Sequence, residues 1–227
     1  MSTKKRDLQW AAAWVGLVAL TLLVWNPLRA FRDPDTALQA GPPWTYGKPT
    51  ARFTVTLYAD LECPYCLGYL PQLQRWIDAT PEVNLQWHHL PLPQHEPASS
   101  AQARLAECVG EEHGREGFWQ AVHWIYRHTQ GNGRGVPADL KYPDVLAGLR
   151  ACLDSPRAQS IVQAQKSEAA GAGLIATPSL RLADNRSQRQ LQLQGPIEPD
   201  ALLSALDLLA APEPSDVPAD PVSDMPR

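Results

Sequence analysis

Cys63 and Cys66 carry the residue types and spacing most able to do chemistry. Pro64 and Tyr65 separate them, so on a helix the two sulfurs lie one turn apart on the same face. A thiol at a helix N-terminus meets free backbone N–H groups and the positive end of the dipole, which stabilise an anion. Its pKa falls, and the thiolate is the attacking species in thiol–disulfide exchange. The second sulfur is then placed to attack a mixed disulfide and release the product. Pro64 suits the first helical turn, where no N–H is needed.

The same spacing has two other readings. Half a zinc site would need two further ligands. Cys108 and Cys152 stand alone in the sequence, and His88 and His89 are merely adjacent. His95, His113, His123 and His128 are scattered and read as surface or core histidines, with no metal or other cofactor implied. The second alternative is a purely structural Cys63–Cys66 bond. A strand before the pair and a helix after it favour redox chemistry over both.

The elements around the pair are set by periodicity. Residues 52–59 alternate Phe53, Val55 and Leu57 against Thr54, Thr56 and Tyr58, which predicts a strand. Leu67, Leu70, Leu73, Trp76 and Ile77 predict a helix over 64–79, bent at Pro71 and ended by Pro81. A second strand is expected over 83–90, and this β-α-β start implies parallel pairing through a right-handed crossover. Residues 98–175 are helical in pattern, with helices expected at 98–112, 116–129, 138–152 and 156–172. Phe118, Trp119, Val122, Ile125 and Tyr126 recur at helical spacing and read as core. Short strands near 179–183 and 190–194 and a helix near 198–210 complete an α/β order of β-α-β, helical block, β-β-α.

The chain has 227 residues, 44% of them hydrophobic and 19% charged, enough for one globular domain with an elaboration. Its net charge of −4 argues against a nucleic-acid-coating protein, so no nucleic-acid partner is expected. Lys4, Lys5 and Arg6 precede an apolar run, and residues 8–28 as a helix would reach roughly 31 Å, near the hydrocarbon thickness. Trp10, Trp14 and Trp25 suit the interfacial belts. We read 1–7 as a cytoplasmic N-terminus, 8–28 as an uncleaved transmembrane signal anchor and 29–46 as a Pro-rich linker. Leu28-Arg29-Ala30 is a poor cleavage site for a secretory signal. A soluble core helix would not be apolar all round. The positive charges favour a domain outside the membrane. Residues 211–227, rich in Pro, Asp and Ser, lack the apolar surface to fold and are expected to be disordered.

At this point a resemblance becomes specific. TYGKPTARFTVTLYADLECPYC resembles the opening of the DsbA-like thiol:disulfide oxidoreductases, which have a thioredoxin fold with an inserted helical subdomain. The stretch HHLPLPQHEPASSAQARLAECVGEEHGREGFW resembles the family's segment after its second core strand, and ATPSL resembles its cis-proline loop. The similarity spans about residues 44–210; we place the domain at 47–210, with the insertion at about 95–173. The resemblance implies that Cys63 is an exposed nucleophile and Cys66 a buried resolving thiol. It implies that Pro178 is a cis-proline facing them, and that Thr177 helps grip an extended substrate strand. His95 corresponds to a family histidine and is assigned a structural role.

Pro64 and Tyr65 would tune the thiolate. Tyr65 puts no cationic ring beside Cys63, so a potential within roughly −270 to −120 mV is expected, short of the oxidising end. Asp60 and Glu62 read as solvated acids; a Glu62 carboxylate near Cys63 would oppose thiolate formation. For Cys108 and Cys152 the readings are a structural disulfide between helices of the insertion, two buried thiols, or a second redox pair. The first is favoured because unpaired thiols are a liability in an oxidising compartment, and because several DsbA-like proteins have a second disulfide in this region.

The functional expectation is a bacterial inner-membrane protein whose domain exchanges disulfides with extracytoplasmic proteins. Its partners would be cysteine-containing proteins and a membrane redox partner. A DsbG- or DsbC-like reductase or isomerase is the main alternative, although 29–46 is too short for the dimerisation domain those proteins usually add. A non-catalytic chaperone or assembly module is the second.

Overall fold

The computed structural model describes residues 41–143 and 147–212. The expected anchor at 8–28, its flanks up to residue 40, and tail residues 213–227 lie outside the described residues. Among the described residues no helix is long and apolar enough to cross a membrane.

Five strands form one sheet in the order β1-β3-β2-β4-β5. They are β1 (Thr45–Gly47), β2 (Phe53–Ala59), β3 (Val83–His89), β4 (Ser179–Asp184) and β5 (Gln190–Gln194). Helix α1 (Pro64–Ala79) joins β2 to β3, which run parallel with Leu57 opposite Trp87. β4 returns antiparallel to β2, with Leu57 opposite Leu180 and Tyr58 opposite Ser179. The register matters for the site. It sets the C-terminal end of β2, which leads into Cys63, beside the start of β4, which comes directly after Pro178.

The sheet is covered on both faces. Val55, Leu57, Leu85, Trp87, Leu180 and Leu182 are fully buried in the main core with α1 and the helical insertion, while Tyr58, Leu90, Leu92, Ala169 and Leu174 form a second cluster. The alternation in 52–59 therefore misleads in part: every residue of β2 is buried, because a central strand has no solvent face.

The insertion contains α2 (Ala98–His128), α3 (Ala147–Leu153) and α4 (Arg157–Gly171). α2 is interrupted at Gly114, whose φ of 70° and ψ of −163° are not helical, so it consists of two helices meeting at a kink, in keeping with the two expected at 98–112 and 116–129. The helix expected over 138–152 is corrected to Ala147–Leu153. Residues 137–143 turn instead, with the Leu140 N–H donating to the Pro137 carbonyl, and Pro143 has no N–H to continue a helix. α5 (Pro199–Ala210) closes the chain on β4 and β5.

A second correction concerns the linker assigned to 29–46. Thr45 and Tyr46 belong to β1, antiparallel to β3, and Trp44 is buried under a stacked contact with Phe118. The Trp44 indole N–H donates to the buried Glu107 carboxylate. Three residues of strand between Pro43 and Lys48 are too few to show a period, so the alternation rule had nothing to detect.

Candidate active site

The turn after β2 is built by Asp60. Its carbonyl accepts the Cys63 N–H at 3.0 Å, and its Oδ1 accepts the Glu62 N–H at 2.8 Å. Cys63 then sits at the N-cap of α1 in an extended conformation, with Pro64 at the first helical position. The Cys63 thiol is held down to about 6. The largest cause is a hydrogen bond from Cys66; burial pushes the other way, and the Thr177 side chain and the N–H groups of Cys66 and Tyr65 lower it further. These two N–H groups are the free donors expected of the first helical turn. Cys66 moves in the opposite direction: burial pushes its thiol well above the ordinary value, and the neighbouring Cys63 adds to that. The two thiols thus shift in opposite directions.

Thr177–Pro178 is a cis peptide, and the Thr177 carbonyl oxygen lies 3.5 Å from the Cys63 sulfur. The structure therefore brings Cys63, Cys66, Thr177 and Pro178 to one place. Pro64 and Tyr65 lie on the helix start, with Tyr65 projecting outward at 72% exposure beside the neighbouring Leu67. Ile175, ahead of the cis bond, is 81% exposed. Cys63 keeps only 3% of its surface, which corrects the expectation of an exposed nucleophile. The Thr177 carbonyl stands against the thiol.

Asp60 and Glu62 are corrected too: each is 1% exposed, not solvated. Besides Glu62 N–H, Asp60 accepts hydrogen bonds from Ser99 Oγ at 2.5 Å, Leu92 N–H at 2.8 Å and His95 Nδ1 at 2.8 Å. Glu62 accepts from Gln102 Nε2, the Thr129 hydroxyl and the Gly135 N–H. Carboxylates that accept several hydrogen bonds are tolerated in an interior that otherwise penalises them. Through His95 and Ser99 for Asp60, and Gln102, Thr129 and Gly135 for Glu62, the two acids tie the turn before α1 to the insertion. Sequence reading missed this because donors from residues 92–135 cannot be located by spacing. The hydroxyl of partly buried Tyr126 donates to the Asp60 carbonyl from the second half of α2, and burial pushes its pKa well up, with the neighbouring Cys66, Asp60, Cys63 and Glu62 adding to the rise.

Cys108 and Cys152 are bonded to each other, joining α2 to α3 within the insertion. Cys63 and Cys66 are free thiols. Among the described residues no three His, Cys, Asp or Glu side chains converge as metal ligands.

The profile described as "Thioredoxin" matches residues 39–207, most of the chain. The chain belongs to the thioredoxin family. Within it, the solved structure of Pseudomonas aeruginosa DsbA2 is 42% identical, covering 74% of this chain and 93% of that one with a TM-score of 0.71. That likeness makes this a DsbA-like thioredoxin-fold protein with a helical insertion, and a thiol-disulfide oxidoreductase. Wolbachia pipientis α-DsbA1, at 18% identity and a TM-score of 0.56, covers 77% of this chain and 95% of its own. A periplasmic thioredoxin-like protein of Salmonella enterica serovar Typhimurium, at 20% identity and a TM-score of 0.55, covers 80% and 94%. These two share the fold. Among curated proteins, the Na(+)/H(+) antiporter NhaA 1 of Salinispora arenicola is 33% identical over 108 residues, which are 48% of this chain. The matched stretch spans about 15% of that antiporter's length.

Proposed function

We propose that the DsbA-like chain works through Cys63 and Cys66 as an extracytoplasmic oxidase of protein thiols, tethered to the bacterial inner membrane by residues 8–28. The observation that carries this reading is the placement of Cys63 at the N-cap of α1 against the cis Thr177–Pro178 bond, with burial and hydrogen bonding shifting the Cys63 thiol down and the Cys66 thiol up. A stabilised Cys63 thiolate favours the reduced pair, so the Cys63–Cys66 disulfide readily accepts electrons from a client.

In the oxidase direction a client thiolate attacks the Cys63 sulfur. The Cys63–Cys66 bond breaks, and its electron pair leaves on Cys66, which takes up a proton. A second client thiol, losing its proton, attacks the client sulfur of the mixed disulfide and expels Cys63 as thiolate. The client loses two electrons, which the enzyme pair gains; of the two protons its thiols give up, one ends on Cys66 and the other goes to solvent, because Cys63 leaves as thiolate. A membrane redox partner would then reoxidise the pair. Pro178 and Thr177 stand against Cys63, where a client strand would lie. The value near 6 falls between the thiolate pKa of thioredoxin, about 7, and that of the strongest oxidant, about 3.5. It supports the intermediate potential expected from Tyr65.

Extracytoplasmic placement draws support from the Cys108–Cys152 bond, since such bonds persist in oxidising compartments. The apolar run with Lys4, Lys5 and Arg6 ahead of it supports the tether. Titration against glutathione, with oxidative refolding of a reduced client and insulin reduction in parallel, tests the assignment. Cys63→Ser should abolish both activities. A potential at the thioredoxin end would turn the reading to a reductase or isomerase, and activity surviving Cys63→Ser would leave only a binding module.

A further inference from the structure

The segment after α2 forms a rim beside the catalytic turn. The Asn132 N–H donates to the Glu62 carbonyl at 2.8 Å, the Gly135 N–H to the Glu62 carboxylate at 2.9 Å, and the Thr129 hydroxyl to the same carboxylate. Within the segment the Gln130 N–H donates to the Gly135 carbonyl and the Arg134 N–H to the Gly131 carbonyl, which closes a tight loop. Gly133, at φ 78°, lies so close to His95 that an added Cβ would come within 3.0 Å of its Cα. A Cβ at Gly131 would stand 3.8 Å from Pro64 Cγ, so the loop borders the dipeptide between the two cysteines.

Arg134 is the charged residue this rim presents. Its Nε donates to the Gly131 carbonyl at 3.2 Å and its Nη2 to the Gln130 carbonyl, which fixes the guanidinium on the loop that meets Pro64 at Gly131. The side chain is exposed, and among the described residues no carboxylate forms an ion pair with it. Asp60 and Glu62, the nearest acids in sequence to the nucleophile, are buried and turned to other donors. On a chain of net charge −4, an unpaired cation held in place at the active-site rim favours an anion there. Tyr65, Leu67 and Ile175 supply exposed apolar surface around the same site and carry no charge.

We infer that Arg134 is a specificity-determining residue, which favours client segments bearing a carboxylate a few residues from the reacting cysteine. This deepens the thiol-exchange reading above and rests on it. The guanidinium's planar fork suits a carboxylate better than an ammonium would. A rim charge of this kind acts mainly on the rate of encounter and is weakened by salt.

The test uses the full chain in its oxidised form and three dithiol peptides, identical except for Asp, Ser or Lys four residues from the first cysteine. Second-order rates of peptide oxidation are measured at low and high salt. Because a nearby charge alters the peptide thiol itself, the quantity read is the Asp-to-Lys rate ratio in wild type divided by that in Arg134→Ala. The expected value is roughly threefold to fivefold at low salt, the size of one exposed ion pair, falling toward one at high salt. Arg134→Lys should keep a preference of the same sign, and Arg134→Glu should invert it. An active wild type whose ratio equals that of Arg134→Ala overturns the inference alone. An equal loss on all three peptides in Arg134→Ala also overturns it, because the side chain would then only hold the loop. A wild type inert on every peptide overturns the oxidase reading, and this inference with it.

Discussion

The Cys63 sulfur stands 3.5 Å from the carbonyl oxygen of Thr177, across 114 residues of chain. The surroundings of Cys63 therefore come from both halves of the fold: its helix from the β-α-β half, and the Thr177 carbonyl from the loop before β4. Within the first half the dominant influence is the Cys66 hydrogen bond. The rate of Cys63 alkylation by iodoacetamide in the reduced protein should rise with pH through a midpoint near 6, since the thiolate is the reactive form. In Cys66→Ala the N–H groups of the helix start remain and the thiol donor is gone, so the midpoint should move up toward the ordinary thiol value. An unmoved midpoint would show that the backbone alone sets the thiolate.

The Asp60 side chain accepts four hydrogen bonds, from Glu62, Leu92, His95 and Ser99. Asp60→Ala leaves those donors without their acceptor in an interior that water does not enter freely. Each buried donor left unsatisfied costs about 1–3 kcal/mol, so a loss of about 3–6 kcal/mol in urea unfolding is expected after partial rescue by water. A loss under about 1 kcal/mol would mean that Asp60 does not organise the turn.

Much of this was readable from local pattern. The thiol pair, its strand and helix, and the Ala176-Thr177-Pro178-Ser179 loop are short-range signals, and each element lies within a few residues of its predicted place. The acid environment was not readable. Asp60 and Glu62 look like exposed acids beside a turn, and only the return of Leu92, His95, Gln102, Thr129 and Gly135 to that turn reveals them as buried acceptors. β1 was lost for a related reason: its three residues are defined by pairing with β3, a long-range contact that spacing does not encode. Arg134 falls between the two cases, since its glycine-rich loop was visible as a separator but the approach of that loop to Pro64, at Gly131, was not.

The Cys108–Cys152 bond closes a sequence separation of 44 residues. Chain-entropy reasoning for a loop of that length gives about 4 kcal/mol of stabilisation through the unfolded state. Cys108→Ala with Cys152→Ala should therefore lower the urea midpoint markedly at 25 °C. Disulfide exchange per folded molecule should stay near wild type, because Cys63 and Cys66 lie outside that bond. Loss of exchange in protein that is still folded would reassign the pair as a redox participant.

His88 gives the fold a predictable acid response. Burial holds its imidazole down to about 4, while Glu168 at 3.2 Å pulls the other way and Arg181 and His89 add to the depression. Glu107 also favours the charged ring, and Tyr58 packs edge-on against it. An unfolded histidine takes up its proton near 6.5. Between about 6.5 and about 4 the unfolded chain thus binds more protons at this residue than the folded one, so stability falls as pH falls through that window. His88→Gln removes the titration and keeps a polar side chain of similar size. Urea midpoints measured from pH 7 to pH 4 should decline less steeply in that variant than in wild type. Parallel declines would place the acid sensitivity in other groups.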